Sequence, residues 1–256
     1  MGGRAVTAQR SLAVQRGILG ALLMIGLWEG IARGFSLPAY VLPAMSDVLL
    51  GTWNKRAMLA EAASYTLSEA LLGYALGALL GIGLAVALTL LPRARGFVVT
   101  AVTAVNSVPV VAYSPLILLW FGIGIASKVV MVALAVSFTL FLSTLAGLDR
   151  VDRRSIDLMR SFGAGRLALL WRLRLPTALP LILAGLRVST VRSVIVAIVT
   201  EMLGAYGGLG WVIYQAVLQI NFVQVWSAIV VASAASILFF GLVGLAERRL
   251  LFWRNA

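Results

Sequence analysis

Seven arginines fall between Asp149 and Pro180, in the stretch DRVDRRSIDLMRSFGAGRLALLWRLRLPTALP: Arg150, Arg153, Arg154, Arg160, Arg166, Arg172 and Arg174. The chain around them is 61% hydrophobic and only 12% charged, with a mean hydropathy of +1.01, whereas a soluble domain carries about 25% charged residues. A chain of this kind lives in a membrane. One arginine at the centre of a transmembrane helix costs roughly 2.5–3.5 kcal/mol, so this stretch must stand in water between membrane-embedded runs. Within it Ile156, Met159, Phe162, Leu167, Leu170 and Leu173 recur at helical spacing, and Gly163 to Gly165 interrupts them. The pattern predicts a short amphipathic helix-turn-helix, with Pro176 and Pro180 ending its second helix. Two readings are open from the pattern alone: an interfacial helix on anionic headgroups, or a docking element for a partner protein.

The apolar runs on either side predict an all-α, polytopic membrane protein with about six transmembrane helices, near 17–34, 62–91, 97–119, 128–148, 180–200 and 225–246. They make a membrane domain over 17–250, with the basic loop at 149–176 and tails at 1–16 and 251–256. Arg4, Arg10 and Arg16 precede the first run, which is broken by Glu29 and reads as a retained span rather than a cleaved signal. The segment from Phe35 to Leu50 reads as a proline-punctuated lead into an interfacial helix capped by Ser46 or Asp47. Gly73, Gly77 and Gly81 fall four apart, which places small residues on one helix face for close packing. Glu201 to Gly210, EMLGAYGGLG, suggests a glycine-broken re-entrant or interfacial element on the outer side.

With both termini cytoplasmic, 15 lysines and arginines lie on that side and four on the other: Arg33, Lys55, Arg56 and Lys128. That asymmetry obeys the positive-inside rule. Polar residues at membrane depth mark a tentative solute passage through Ser107, Pro109, Tyr113, Ser189 and Arg192, since such groups face a bundle interior or a wet cavity. The chain has no His and no Cys, which removes thiolate chemistry, His-ligated metals and His-based acid-base catalysis. No spacing of Ser, Lys or carboxylates suggests an intramembrane hydrolase, and no metal or catalytic residues are assigned. It also lacks G-x-x-x-x-G-K-[ST], so it holds no phosphate loop of its own.

Asp157-Leu158-Met159, three residues, Gly163, nine residues, then Leu173-Arg174-Leu175-Pro176 resembles the EAA loop of ABC-importer permeases, written EAA, three residues, Gly, nine residues, I-x-L-P. The chain departs at Asp157, Leu158 and Met159 but keeps one carboxylate. Leu119 to Lys128, LWFGIGIASK, resembles a segment of the subfamily serving taurine, alkanesulfonates, nitrate, bicarbonate, thiamine-pyrimidine precursors and riboflavin. The Glu201 segment, with its Gly-Leu-Gly, agrees.

The resemblance implies a type I ABC-importer permease in a bacterial-type inner membrane, with no enzyme activity of its own. It implies a homodimer of this chain, a cytoplasmic ABC ATPase dimer and an extracytoplasmic solute-binding protein. ATP and magnesium would be held by the ATPase rather than by this chain, and no nucleic acid is involved. Asp157, Met159, Arg160 and Phe162 would contact the ATPase groove, and Gly163, Ala164 and Gly165 would allow its close approach. The solute would be a small organic or inorganic molecule, between a pyrimidine-precursor or riboflavin type and a sulfonate or nitrate type. The competing class is a stand-alone channel or secondary transporter whose basic loop binds lipid.

Overall fold

Long apolar runs have one open-chain solution in hydrocarbon, the helix, because it alone satisfies every backbone group within the segment. The computed structural model describes residues 2–250, and the described residues form helices and turns without strands. The chain runs through α1 (Gly2–Gly34), α2 (Met45–Asn54), α3 (Arg56–Leu90), α4 (Pro92–Ser107), a 3-10 turn at Val110–Tyr113 and α5 (Ser114–Phe121). It continues with α6 (Ile125–Asp149), α7 (Arg153–Ser161), α8 (Arg166–Leu169), a π-turn at Leu170–Arg174, α9 (Leu175–Leu203), α10 (Leu209–Leu218) and α11 (Phe222–Leu250). Among the described residues five helical stretches are long and apolar enough to cross a membrane, or six if the bent pair α4 and α5 counts as one span. The proposed tail at 251–256, with Trp253 and Arg254, lies outside the described residues, and α1 carries the helix back through most of the proposed tail at 1–16.

The centre of the bundle is α3 against α6. The glycine row of α3 faces α6, where a Cβ on Gly73 would come within 2.5 Å of the Val132 side chain and one on Gly77 within 2.7 Å of the Ala133 carbonyl. The two backbones touch, as small residues allow where lipid supplies no hydrophobic drive between helices. Around this seam Met131, Val132, Val136, Leu140, Val194, Ala197 and Phe239 form the main core. Tyr74 meets Phe239 edge-on at 5.2 Å and donates its hydroxyl to the Leu186 carbonyl at 3.1 Å. A second cluster wraps α10 with Leu59, Ala62, Val212, Ala216 and Ala228. A third, at the arginine-rich end, joins Leu88, Phe141, Leu148, Leu170 and Ala178. The helix α1 stands on the periphery, held where Trp28 packs edge-on against Trp226 at 4.5 Å and donates to the Pro43 carbonyl at 2.9 Å.

Several expectations need correction. The third span is not one helix: α4 and the segment Val110–Phe121 meet at 82°. Pro109 is the cause, since it drives Val108 out of helical geometry to φ −83°, ψ 129°. Pro180 does not end a helix. It lies inside α9, and the helical rod runs unbroken from Arg166 to Leu203. The bond that Pro176 cannot make would go to the carbonyl of Arg172, inside the π-turn, where the ladder has already shifted by one residue. The α2 cap is Ala44, with no side-chain cap bond, instead of Ser46 or Asp47. Ser46 is drawn away to Glu29, which accepts its N–H at 3.1 Å and its hydroxyl at 2.8 Å and pairs with Arg33 at 2.5 Å. Finally, α3 begins at Arg56, earlier than 62; at 1.5 Å per residue its 35 residues reach about 50 Å, well beyond a hydrocarbon core of about 30 Å.

Candidate functional site

The helix-turn-helix exists, and its turn is closed by backbone chemistry. Asp152 caps α7 by accepting the N–H of Arg154 at 3.3 Å. At the other end Gly163 N–H donates to Arg160 O at 2.9 Å and Ala164 N–H to Met159 O at 3.0 Å, a Schellman pair. That closure requires a left-handed residue at Gly163, which has φ +80°, so glycine is demanded there by conformation. Gly165 returns to extended geometry and caps α8, and Leu169 and Leu170 bury themselves in the bundle. The motif is thus anchored through its second helix, while its first has no buried residue.

Of the coupling residues predicted from sequence, Asp157, Arg160, Phe162, Gly163 and Gly165 are exposed, while Met159 and Ala164 are half-buried beneath them. Phe162 is 82% exposed at the tip. Leu158, Leu167 and Trp171 add exposed apolar surface beside it, and sequence reasoning had assigned none of the three. Apolar side chains interleaved with guanidiniums suit a groove with hydrophobic walls and acidic edges. Arg95 of α4 is ion-paired to Asp149 and ties this end of the bundle together.

The predicted passage residues do not converge. Tyr113 lines a largely apolar cleft of about 290 Å³ between α3, α4 and α6, together with Asn106 and Ser137. Ser107 and Pro109 are exposed at the bend and do not line that cleft. Ser189 is fully buried in α9 with its hydroxyl oxygen unpartnered. Arg192 donates to the Thr139 hydroxyl at 3.1 Å, between α9 and α6. Arg187 lies over the ring of Phe240 at 4.4 Å and approaches Glu247 at 3.6 Å, so α11 accounts for its charge.

Sequence reasoning missed a buried polar knot at the opposite end of the bundle from the arginines. Lys128, counted above as an outer-side loop cation, is fully buried, and its ammonium donates to the carbonyls of Ile123 and Gly204, both at 2.5 Å. Glu201, also buried, accepts the Thr66 hydroxyl at 2.7 Å and the Gly210 N–H at 2.6 Å. Thr66 in turn accepts the Leu209 N–H at 2.8 Å. Glu69 is buried beside Glu201 and Lys128, with one oxygen unpartnered. These bonds fasten the 204–210 turn to α3 and α6, so the glycine-broken segment is held by polar bonds as well as by packing. The available signal was chemical: Lys128, Glu69 and Glu201 are ionisable groups in apolar runs.

The chain is thus a helical bundle with membrane-length apolar helices and an anchored, exposed helix-turn-helix. The chain belongs to the family described as binding-protein-dependent transport system inner membrane component, whose family model matches residues 77–252. It is 32% identical over 235 residues to the formylaminopyrimidine transport permease protein ThiX of Halalkalibacterium halodurans, covering 91% of this chain and 94% of that one. It is 35% identical over 192 residues to the taurine transport system permease protein TauC of Escherichia coli, covering 74% and 69%. Among solved structures, an inward-facing form of the MetNI methionine ABC transporter superposes with a TM-score of 0.65 at 19% identity, covering 77% of this chain and 96% of that chain. The fold is that of type I ABC-importer permeases, and the protein is a multi-pass inner-membrane permease of the ABC-importer class.

Proposed function

We propose that this chain is the membrane-spanning subunit of an ATP-driven importer, working as a homodimer with a cytoplasmic ATPase dimer and an extracytoplasmic binding protein. The observation that carries the reading is the turn at Phe162 to Gly165, rigidly closed and exposed at the end of the bundle richest in arginine. Closure of the ATPase dimer on ATP pulls α7, with Asp157, Met159, Arg160 and Phe162 as its contacts. Because Leu169 and Leu170 pack into the bundle and α8 continues into α9, a pull on the turn is a pull on a transmembrane helix. Repacking of the two permease copies then alternates access to the passage. The excess of Lys and Arg in the basic loop and flanking segments supports a reading with both termini in the cytoplasm.

The cargo is a small solute of the pyrimidine-precursor and riboflavin type or of the sulfonate and nitrate type. The half-buried Arg192 suits an anion, whereas the Tyr113 cleft suits a flat heterocycle. Affinity purification of the tagged chain from its own membranes, followed by mass spectrometry, tests the assembly. A stoichiometric ATPase subunit supports the importer; its absence under mild solubilisation, with transport retained, contradicts it.

A further inference from the structure

A second arginine-lined feature adjoins the turn and shares Arg160 with it. Where α3 passes into α4 and α8 passes into α9, a cavity of about 300 Å³ opens between Thr89, Pro92, Arg95, Arg160, Arg166 and Arg174. Four guanidiniums line one hollow beside the C-terminal end of α3. Arg95 is neutralised by Asp149 and Arg160 lies 3.9 Å from Asp157. Among the described residues Arg166 and Arg174 form no ion pair. The hollow therefore carries an uncompensated charge of two on one side, and like charges gathered at a low-dielectric boundary call for an anion.

The walls say which anion. Leu88, Leu90 and Leu169 complete the lining, and Leu91, between Leu90 and Pro92 in the chain, is 60% exposed. A ligand here has a charged head among the arginines and an apolar body along α3 and α4. Guanidinium forks match phosphate oxygens in pairs, and basic pockets between spans at the membrane face take anionic headgroups. We propose that this cavity is a binding site for the phosphate headgroup of an anionic phospholipid, which braces the α3–α4 corner against the base of α9. The site does not depend on the importer reading, since it requires only the membrane and this chain.

The test uses the full chain purified in detergent and titrated with dioleoylphosphatidylglycerol, with dioleoylphosphatidylcholine, or with inorganic phosphate alone. Binding is followed by thermal shift and native mass spectrometry. The anionic lipid should raise the melting midpoint and remain bound, and phosphatidylcholine should do neither. Arg166→Gln combined with Arg174→Gln should weaken the lipid about thirtyfold, from the worth of two surface arginines at a charged membrane. The Lys pair at the same positions should retain most of the binding, and Arg172→Gln, which does not line the cavity, should leave it unchanged. A response to inorganic phosphate equal to that of the lipid would overturn the lipid assignment in favour of a soluble phosphate. Equal binding of the two lipids, or no loss in the Gln pair, overturns the site altogether. So does an effect of the Gln pair confined to ATPase retention, which would mark the arginines as contacts for an acidic protein surface.

Discussion

The α3–α6 seam offers a paired test with opposite signs two residues apart. A Cβ on Gly81 would overlap the carbonyl oxygen of Ser137 and lie 3.0 Å from the amide of Phe141, both backbone atoms of α6. Neither can rotate away, so α3 and α6 must separate along a seam whose strength is contact alone. Overpacking of this kind costs typically about 1–3 kcal/mol, of which better helix propensity returns about 0.5–1 for Ala over Gly. Gly83, on the same helix, has nothing within 4 Å of a built Cβ, so only the propensity gain applies there. The net cost at Gly81 is about 0.5–2 kcal/mol, so at about 2–4 °C per kcal/mol for a chain of this size, Gly81→Ala should melt roughly 1–8 °C below the parent and Gly83→Ala about 1–4 °C above it. Melting followed by intrinsic fluorescence of the seven tryptophans in one detergent reads both. Shifts of the same sign would refute the claim that the glycine row is there for backbone contact.

The buried knot yields two further expectations. Thr66→Val removes the hydroxyl that joins Leu209 N–H to Glu201 and should cost about 1–3 kcal/mol; hydrogen exchange across residues 204–210 should quicken while α6 keeps its protection, and unchanged exchange would contradict the fastening role. Lys128→Met strips two buried backbone carbonyls of their donor, a loss of about 1–3 kcal/mol for each. Less monodisperse protein in size exclusion and faster trypsin digestion should follow, and parental behaviour would show that the knot contributes nothing to the fold.

How far the sequence could be read depended on the kind of force at work. The turn at Gly163 was legible because one residue type fits a left-handed position and the flanking arginines exclude hydrocarbon. The glycine row was legible for the same steric reason, and so was the disturbance at Pro109, although its size, 82°, was not. Pro180 misled because its usual meaning holds where water can replace a lost helix bond; here the membrane favours continuation, and Pro180 stays inside α9. Lys128 misled because its sequence neighbours, Gly122 and Gly124, look like a loop, while its partners Gly204 and Glu201 lie more than seventy residues away. The passage set failed to converge for a similar reason: Ser107, Tyr113 and Arg192 are polar residues in spans, but which helix faces which is set by long-range packing.

The central claim is that the turn at Phe162 meets an ATPase on the cytoplasmic side. The chain has no cysteine, so Phe162→Cys places a single thiol at the exposed tip, and Tyr206→Cys, 80% exposed in the native chain, places one at the other end of α9. Membranes from the native source carrying each variant would be treated with a short thiol-to-amine crosslinker and the adducts sequenced. The account predicts an adduct between Phe162→Cys and a nucleotide-binding subunit, and none with that subunit from Tyr206→Cys. No adduct from Phe162→Cys, or one from Tyr206→Cys instead, would contradict it.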